Sequence, residues 1–264
     1  MRRGLARSRG EARDLIDEGV VVVDGTPVTK ASHPVTGSDA VSVTSDGPRW
    51  VGRAAHKLVA ALDEWGPQGL GVTGRRCVDV GASTGGFSQV LLARGADRVV
   101  AVDVGHGQLV PEVAGDPRVD ERSGTTVRGL TAHDLGGPAD LVVADLSFIS
   151  LTLVMGDLAG LLRPDGDLVV LVKPQFEVGR GRLNRQGVVV DPKDRTRSLE
   201  RVVAAVGEHG LHVHGIATSP ISGTSGNTEY LLWARSVPSD TMNTDRVADA
   251  VRATTTHPPS GGRR

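Results

Sequence analysis

Between residues 77 and 103 the hydrophobic positions change their period twice. Residues 77–80 form a short apolar run, residues 87–94 carry apolar side chains at helical spacing, and residues 99–102 form a second apolar run. Short continuous runs are typical of buried strands, whereas apolar residues three and four positions apart predict a helix with one buried face. The segment is therefore predicted to fold as strand, turn, helix and strand, the first half of a nucleotide-binding α/β domain.

The same alternation continues to residue 235. Further strands are predicted at 141–144, 168–172, 211–218 and 230–234, with helices at 53–65, near 151–162 and at 193–209, a turn at 164–166 and a long loop at 179–192. Strands that alternate with helices predict an α/β fold with a doubly wound, Rossmann-like sheet, whose ligands collect at the carboxyl ends of the strands. Asp103, Asp145 and Lys173 all follow such strand ends.

Residues 1–46 show a different pattern, which predicts a small α+β domain. Residues 8–16 can form an amphipathic helix with Ser8 as its N-cap and Glu11 at the capping-box position. Residues 20–29 read as a hairpin around the dipeptide Asp24-Gly25, and residues 41–43 as a last strand. Residues 47–52 are then a linker to the larger domain at 53–235.

From residue 236 onward the chain is polar and contains three prolines. We expect residues 236–264 to be a largely disordered tail, in which a short helix at 245–253 with Thr244 as N-cap is possible.

Composition indicates the cellular compartment in which the protein is expected. The chain of 264 residues is 39% hydrophobic and 23% charged, as in an ordinary globular protein. Its one cysteine, Cys77, allows no disulfide framework, which favours a reducing cytoplasm. No apolar run approaches the ~18 residues of a membrane span, and the arginine-rich start lacks the apolar core of a signal peptide. Membrane insertion and secretion are therefore not expected.

The net charge of −1 hides two basic segments. Residues 2–13 hold five arginines against one glutamate, and residues 180–201 hold seven cations against three acids. Such segments are either ordinary solvent-exposed surfaces or binding surfaces for a polyanion. Because only 3% of the residues are aromatic, phosphate contacts would carry most of the affinity for RNA, and base stacking would be secondary.

The turn at 81–86 reads Gly-Ala-Ser-Thr-Gly-Gly. Glycine at such a turn lets a ligand approach the backbone, and the helix that follows points its N-terminus at that ligand. The second glycine of the dinucleotide fingerprint admits a pyrophosphate, and Ser83 stands there instead. S-adenosylmethionine, which has adenosine but no phosphate, therefore fits better than NAD, and the alternative is a merely structural tight turn. Asp103 lies at the spacing that delivers a carboxylate to a ribose diol.

Several motifs, taken in order, carry a family resemblance. The segment LARSRGEARDLIDEGVVVVDGTPVTK resembles the S4 RNA-binding domain, and it is followed by RAAHKL, DVGASTGGF, VVADLSFIS, LVKPQFEVG and SGNTEYLLW. Together these resemble the TlyA family, also called hemolysin A, of rRNA 2′-O-methyltransferases. The catalytic half is similar to the wider FtsJ-like methyltransferases.

The resemblance implies a cofactor, a substrate and a site. It implies S-adenosylmethionine as cofactor, no metal ion, a cytidine of the large-subunit rRNA, the small-subunit rRNA or both as substrate, and ribosomal subunits as partners. The oligomeric state stays open, and a monomer is favoured. The implied catalytic tetrad is Lys57, Asp145, Lys173 and Glu229, with Lys173 contacting the ribose hydroxyl. The implied cofactor contacts are Asp79, Gly81, Ala82, Ser83, Thr84, Gly85, Gly86, Phe87, Asp103, Val104 and Asp145. Arg7, Arg9 and Lys30 would meet RNA phosphates.

The sequence departs from the family at four places. About ten residues of the first S4 helix are expected before Met1, and Pro48 displaces the arginine of the usual Arg-x-Trp-Val linker. His106 stands where tyrosine is common, and residues 121–128 are longer than usual. The last two departures put the adenine contacts in question.

Two other classes of function compete with the methyltransferase. One is a ribosome-binding or assembly factor with an inactive methyltransferase fold, against which the four tetrad residues argue. The other is a pore-forming haemolysin, for which the sequence offers no convincing amphipathic membrane helix. A nicotinamide dehydrogenase is disfavoured by Ser83.

Overall fold

The computed structural model describes residues 2–6, 9–17, 19–44, 49–239 and 242–256. The chain divides into two compact units, Met1–Arg53 and Ala54–Arg264. The predicted linker at 47–52 thus lies in the first unit, where Arg49 donates a hydrogen bond to the carbonyl of Leu5.

The first unit is a helix with a small antiparallel sheet. Helix α1 covers Arg9–Asp17, and strands β1 (Val21–Val23), β2 (Thr26–Pro27) and β3 (Val41–Val43) lie in the order β2-β1-β3. Asp24 and Gly25 both have positive φ, 48° and 78°, as a two-residue hairpin turn requires. The predicted hairpin is confirmed, with a shorter second strand. Ser8, the predicted N-cap, and residues 45–48 at the predicted boundary lie outside the described residues.

The second unit is built on a seven-stranded sheet in the order β6-β5-β4-β7-β8-β10-β9. Its strands are β4 (Arg76–Val80), β5 (Arg98–Asp103), β6 (Val119–Ser123), β7 (Ala139–Ala144), β8 (Leu162–Val172), β9 (His212–Thr218) and β10 (Tyr230–Arg235). The helices are α2 (Ala55–Trp65), α3 (Gly86–Ala93), α4 (Pro111–Ala114), α5 (Met155–Gly160), α6 (Pro174–Glu177), α7 (Pro192–Glu208) and α8 (Thr244–Thr256). Strands β4 to β8 pair in parallel, and β10 is antiparallel to both β8 and β9.

The predicted doubly wound sheet is confirmed, and the structure adds elements that the hydrophobic pattern did not show. Strand β6 has the sequence VDERS and lies at the sheet edge with no fully buried residue, so it carries no apolar run. The helix predicted near 151–162 is wrong in extent. A 3-10 turn at Leu151–Leu153 and the short α5 replace it, and residue 162 already belongs to β8.

The predicted turn at 164–166 lies within β8. Asp165 has φ of 66°, and the pairing with β7 jumps from Ala139 opposite Leu162 to Leu141 opposite Asp167. The extra residues bulge out, so the strand continues on both sides of the turn.

The expectation of a largely disordered tail is corrected for residues 244–256. These residues form α8, whose Val247, Val251 and Thr255 are buried, and the helix packs against α7 and β9. Three buried positions at a spacing of four residues suffice to hold a helix on the sheet, although the segment is polar on average. Residues 257–264 lie outside the described part of the chain. Within that part, no helix is long and apolar enough to cross a membrane.

Candidate active site

The site lies at the edge of the sheet where the parallel strands end. Asp103 closes β5, Asp145 follows β7 and Lys173 follows β8. Glu229 precedes β10, and because β10 is antiparallel, its first residue, Tyr230, lies opposite Val172 at the end of β8. The start of the antiparallel strand β10 and the ends of the parallel strands therefore lie at the same edge of the sheet.

Helix α2 supplies the remaining tetrad member. Its buried face consists of Ala55, Lys57, Leu58, Ala61, Leu62 and Trp65. The apolar members, among them Leu58, Leu62 and Trp65, form the buried face of the helix. Lys57 lies on this same buried face with 6% exposure, so packing of the helix directs its side chain into the site.

The four tetrad side chains meet in one chain of ion pairs. Glu229 Oε2 is 2.7 Å from Lys57 Nζ, which is 3.3 Å from Asp145 Oδ2. Asp145 Oδ1 is in turn 2.6 Å from Lys173 Nζ. Two cations and two anions balance within the cluster, which is required of charges that are this deeply buried.

The contacts within this cluster differ in kind. Lys57 donates an aligned hydrogen bond to Asp145 Oδ2. The shorter contacts at Glu229 Oε2 and at Asp145 Oδ1 are ion pairs in which neither oxygen has a partner with hydrogen-bond geometry. Asp145 is therefore held by opposite charge on both of its oxygens.

Lys173 has further neighbours that sequence reasoning did not assign. Its Nζ donates to Ser147 Oγ at 2.8 Å and lies 6.0 Å from the centre of the Phe176 ring. Phe148 packs beside Phe176 with ring centres 5.3 Å apart, yet Phe148 is 92% exposed and has φ of 65°. An aromatic residue three positions after a strand-end acid was the available signal, since the motif VVADLSFIS contains it.

The glycine turn lies directly against the tetrad. Gly81 has φ of 85°, and a Cβ at this position would come within 2.7 Å of the carbonyl oxygen of Asp145. The nitrogen of Asp145 donates to Val80 O at 3.1 Å. Glycine is required at 81 because any side chain would displace the backbone that carries Asp145.

Asp103 fixes the conformation of the same turn. Its Oδ2 accepts a hydrogen bond from the nitrogen of Ser83 at 2.8 Å, and its Oδ1 accepts one from the nitrogen of Gly105 at 2.8 Å. Ser83 itself has positive φ, 49°, which the bond to Asp103 offsets. The side chain of Val104 is 70% exposed beside it. The carboxylate thus joins two backbone segments that would line a cofactor pocket.

The remaining predicted cofactor contacts lie at different depths. Ser83 and Thr84 are exposed, whereas Ala82, Gly85, Gly86 and Phe87 are buried, so these four offer mainly backbone groups. Gly85 packs against α4: a Cβ there would lie 3.0 Å from Val113 Cγ1. A Cβ on Gly124 would lie 2.2 Å from the His106 ring. The two departures from the family pattern in this region, His106 and residues 121–128, are therefore in contact.

Asp79 is completely buried below the turn. Ser88 Oγ donates to its Oδ2 at 2.7 Å, while its Oδ1 has no hydrogen-bond partner. Burial is the main cause that raises the pKa of this carboxyl to about 7, and the bonds from Ser88 oppose the rise. A buried carboxyl oxygen without a partner below a glycine turn suits a cationic or hydrogen-bonding ligand.

These features together fit S-adenosylmethionine. The turn offers backbone groups at its glycines, Asp103 offers a carboxylate at the end of the second strand, and Asp79 offers an unsatisfied oxygen. The described residues contain no group of three or more His, Cys, Asp or Glu that could hold a metal ion.

The predicted RNA contacts belong to the first unit. Arg9 is the first residue of α1 and Lys30 follows β2, and both are exposed. Arg7 lies outside the described residues.

Comparison with known proteins gives both units a family match. Residues 50–236 match the FtsJ-like methyltransferase family, and residues 2–41 match the S4 domain. The chain is 50% identical over 252 residues to the 16S/23S rRNA (cytidine-2′-O)-methyltransferase TlyA of Mycobacterium tuberculosis, covering 95% of this chain and 93% of that protein.

Two further similarities extend the comparison. The chain is 35% identical to Hemolysin A of Brachyspira hyodysenteriae, covering 86% of this chain and 94% of that protein. A solved structure from Streptococcus thermophilus is 33% identical, with a TM-score of 0.74, and the alignment covers 97% of this chain and 93% of that one.

Proposed function

Because the chain belongs to the FtsJ-like methyltransferases, and within them to the TlyA family with its S4 domain, we propose that it methylates the 2′-hydroxyl of a cytidine in ribosomal RNA. The observation that carries the proposal is the buried chain of ion pairs from Glu229 through Lys57 and Asp145 to Lys173, beside a glycine turn that fits S-adenosylmethionine.

S-adenosylmethionine supplies the reaction with an electrophilic methyl group on a sulfonium. A ribose hydroxyl is a weak nucleophile at neutral pH, so the protein must hold its oxygen in line with that methyl group and must stabilise the charge that develops. Asp79, Asp103 and the turn at 81–86 would hold the cofactor. The tetrad, on the same edge of the sheet, would act on the RNA.

Lys173 is the residue that we assign to the hydroxyl. An ammonium has three N–H donors, and Asp145 and Ser147 account for two contacts of Lys173 Nζ. One position therefore remains for the ribose hydroxyl. As its oxygen bonds to the methyl carbon and the carbon–sulfur bond breaks, the hydroxyl proton passes to Lys173 Nζ, which in turn passes one proton to Asp145 Oδ1 at 2.6 Å. With 8% exposure of the residue, that contact forms away from bulk water, where electrostatic interactions are stronger.

The other tetrad members hold Lys173 in place. Asp145 lies between the two lysines and limits the positions that the Lys173 amine can take. Lys57 and Glu229 extend the charge balance, so the approach of a substrate does not leave Asp145 as an uncompensated anion. We therefore treat Lys57 and Glu229 as positioning residues, and Asp145 as the group that both holds Lys173 and takes up the proton.

We further assign Phe148 to the base of the target nucleotide. Phe148 follows Ser147 directly, is 92% exposed and has positive φ. Its exposed ring and strained backbone cost free energy, which a contact with the substrate would offset. A base that is turned out of its stack finds a flat apolar partner in such a ring, worth about 1 to 3 kcal/mol.

The S4-like unit would bring the enzyme to its substrate. Exposed Arg9 and Lys30, together with Arg7, suit phosphate contacts on a ribosomal subunit. We infer that the protein acts on subunits in the cytoplasm as a monomer.

The proposal is tested by incubating purified large and small subunits from an unmethylated strain with the protein and methyl-labelled S-adenosylmethionine. We expect label on the 2′-oxygen of a cytidine, located by mapping the modified nucleotide. Subunits that bind the protein yet acquire no label would instead support a ribosome-binding factor without activity.

A further inference from the structure

A second basic element, distinct from the S4-like unit, lies at the same edge of the sheet as the tetrad. We name residues 179–191 the basic loop. It connects α6, which begins directly after Lys173, to α7, and it contains Arg180, Arg182 and Arg185 but only one acid, Asp191. The proposed tetrad chemistry makes no use of this loop.

The middle of the basic loop is a tight turn. The nitrogen of Gly187 donates to Asn184 O at 3.0 Å, and the nitrogen of Asn184 donates to Val188 O at 3.0 Å. Asn184 Oδ1 accepts from the nitrogens of Gln186 and Val188 at 2.9 and 2.8 Å, and Gly187 has φ of 77°. Asn184 and the glycine thus fix the turn, and Arg185 and Gln186 form its exposed tip.

Asn227 fastens this turn to the active-site edge. Its side chain is 2% exposed, its Oδ1 accepts from the nitrogen of Val189 at 2.9 Å, and its Nδ2 donates to Gly187 O at 3.0 Å. Asn227 stands two residues before Glu229. A Cβ on Gly223, whose nitrogen donates to Asn227 O, would come within 2.6 Å of Glu229 Oε1. The anchor of the loop and the end of the tetrad are therefore neighbours.

Three arginines in or next to the basic loop differ in whether their side chains have a partner. The buried Asp194 accepts hydrogen bonds from Arg182 at 2.5 Å and from Arg197 at 3.0 Å, so these two arginines are engaged. Within the part of the chain that the structure describes, Arg185 makes no hydrogen bond or ion pair. Arg185 is two residues from Gly187, whose carbonyl is anchored by Asn227. The Cα atoms of these two residues are therefore at most about 7 Å apart.

We propose that Arg185 is a phosphate contact for the RNA substrate, held beside the tetrad by the rigid turn and by Asn227. The proposal rests on the proposed function, which it extends by a contact next to the reacting nucleotide. An arginine fork binds phosphate oxygens in a bidentate manner. A rigid turn lowers the entropy that is lost when the contact forms.

RNA is favoured over an acidic protein surface as the partner. The loop lies at the edge where the ribose must enter, and residues 180–201 carry seven cations against three acids. Phosphate contacts also fix the register of a nucleic acid on a protein. Arg185 would thus align the target nucleotide with Lys173, whereas the S4-like unit would provide contacts elsewhere on the subunit.

The salt dependence of subunit binding tests this assignment. Each phosphate that is neutralised contributes about 0.7 to 0.9 to the slope of log affinity against log salt concentration. Arg185→Ala is expected to reduce the slope by that amount, with an unchanged melting temperature, and Arg185→Lys should retain most of it. Arg163→Ala is the matched control, because Arg163 is an exposed arginine near the opposite end of β8, and it should leave the slope unchanged.

A second variant tests the anchor. Asn227→Ala removes no charge, so it should weaken subunit binding several-fold while the salt slope and the cofactor affinity stay unchanged. Equal slopes for Arg185→Ala and the unaltered protein would overturn the phosphate contact, whether or not Asn227→Ala folds. Unchanged affinity of a folded Asn227→Ala variant would overturn the role of the anchor.

These results are separable from the proposed function. Failure of the unaltered protein to methylate subunits contradicts the methyltransferase activity without affecting the slopes. Normal methylation together with an unchanged slope for Arg185→Ala contradicts the phosphate contact alone.

Discussion

At the scale of single residues, the tetrad assigns different tasks to side chains that are in contact. Lys173 has one free donor position beside its contacts with Asp145 and Ser147, whereas Lys57 lies between two acids. The family resemblance named all four residues and assigned Lys173 to the hydroxyl; the distances add that Lys57 lies between two acids, whereas Lys173 contacts one.

Lys173→Ala should abolish methyl transfer and leave the dissociation constant for S-adenosylmethionine within several-fold of its original value. The reason is that Lys173 contacts Asp145 and Ser147, whereas the contacts that we propose for the cofactor are the glycine turn and Asp103. Calorimetry gives the cofactor affinity, and label incorporation into subunits gives the activity. Turnover close to that of the unaltered protein would remove Lys173 from the mechanism.

Phe148→Ala should lower activity on subunits by about 5- to 150-fold, as a loss of about 1 to 3 kcal/mol of stacking implies, while the melting temperature stays the same because the ring is 92% exposed. Phe148→Tyr is the control that keeps the ring and should retain activity. If the alanine variant methylates subunits normally, the base does not stack on Phe148.

Asp79→Asn should change how stability depends on pH. Burial raises the pKa of Asp79 to about 7 from an ordinary value of 3.8, so the folded state keeps this proton at pH values where the unfolded state has lost it. The contribution of Asp79 is therefore full below pH 4 and is lost as the pH rises to about 7.

The neutral amide lacks this loss, so Asp79→Asn should gain stability relative to the unaltered protein by roughly 2 to 3 kcal/mol between pH 5 and pH 8. Urea unfolding at both pH values, without cofactor, measures the gain. A pH-independent difference between the two proteins would show that the Asp79 pKa is not raised.

At the scale of elements, a buried ionic cluster joins β8, β10 and the residue before β4 at the edge of the sheet away from the site. Asp167 of β8 is fully buried and lies 2.5 Å from Arg75 Nη1 and 3.0 Å from Arg235 Nε. It also accepts a hydrogen bond from Trp233 Nε1 at 2.8 Å. The pairing of β8 with β10 is thereby supported by charge and hydrogen bonding as well as by apolar packing.

Asp167→Ala should destabilise the second unit by about 3 to 5 kcal/mol, because it leaves a buried indole N–H and two guanidinium groups without their shared acceptor. Asp120→Ala, which removes the partner of the exposed Arg98 and Arg122 at the sheet edge, should cost under about 1 kcal/mol. Denaturant unfolding compares the two variants. Equal losses would mean that the Asp167 cluster does not stabilise the sheet.

At the scale of the whole molecule, the chain combines a small S4-like unit and a large catalytic unit. Both units are close to neutral, but basic residues are concentrated at the start of the first unit, where five of the first twelve residues after Met1 are arginines. A local basic segment of this kind favours contact with a polyanion such as RNA.

Replacing Arg7, Arg9 and Lys30 together by alanine should weaken subunit binding and lower the salt slope by about 2 to 3, because three phosphate contacts are lost. Methyl transfer at saturating subunit concentration should persist, since the tetrad is untouched. Fluorescence titration at several salt concentrations measures the slope. An unaltered slope would show that these three residues do not contact RNA.

The sequence by itself determined the features that depend on neighbouring residues. The doubly wound sheet follows from the alternation of apolar runs and helical spacing, and the glycine turn follows from residue types that tolerate positive φ. Acids and lysines directly after apolar runs indicated the positions of Asp103, Asp145 and Lys173, because parallel strands end at a common edge.

Only the tertiary structure decided the features that depend on distant contacts. Strand β6 is too polar to show a pattern, and α8 is held by a stripe of only three buried positions. The antiparallel direction of β10 brings Glu229 to Lys57, and the anchor of the basic loop joins Asn227 to Val189. Such contacts form between segments far apart in the chain and depend on packing of the whole sheet, which local periodicity does not encode.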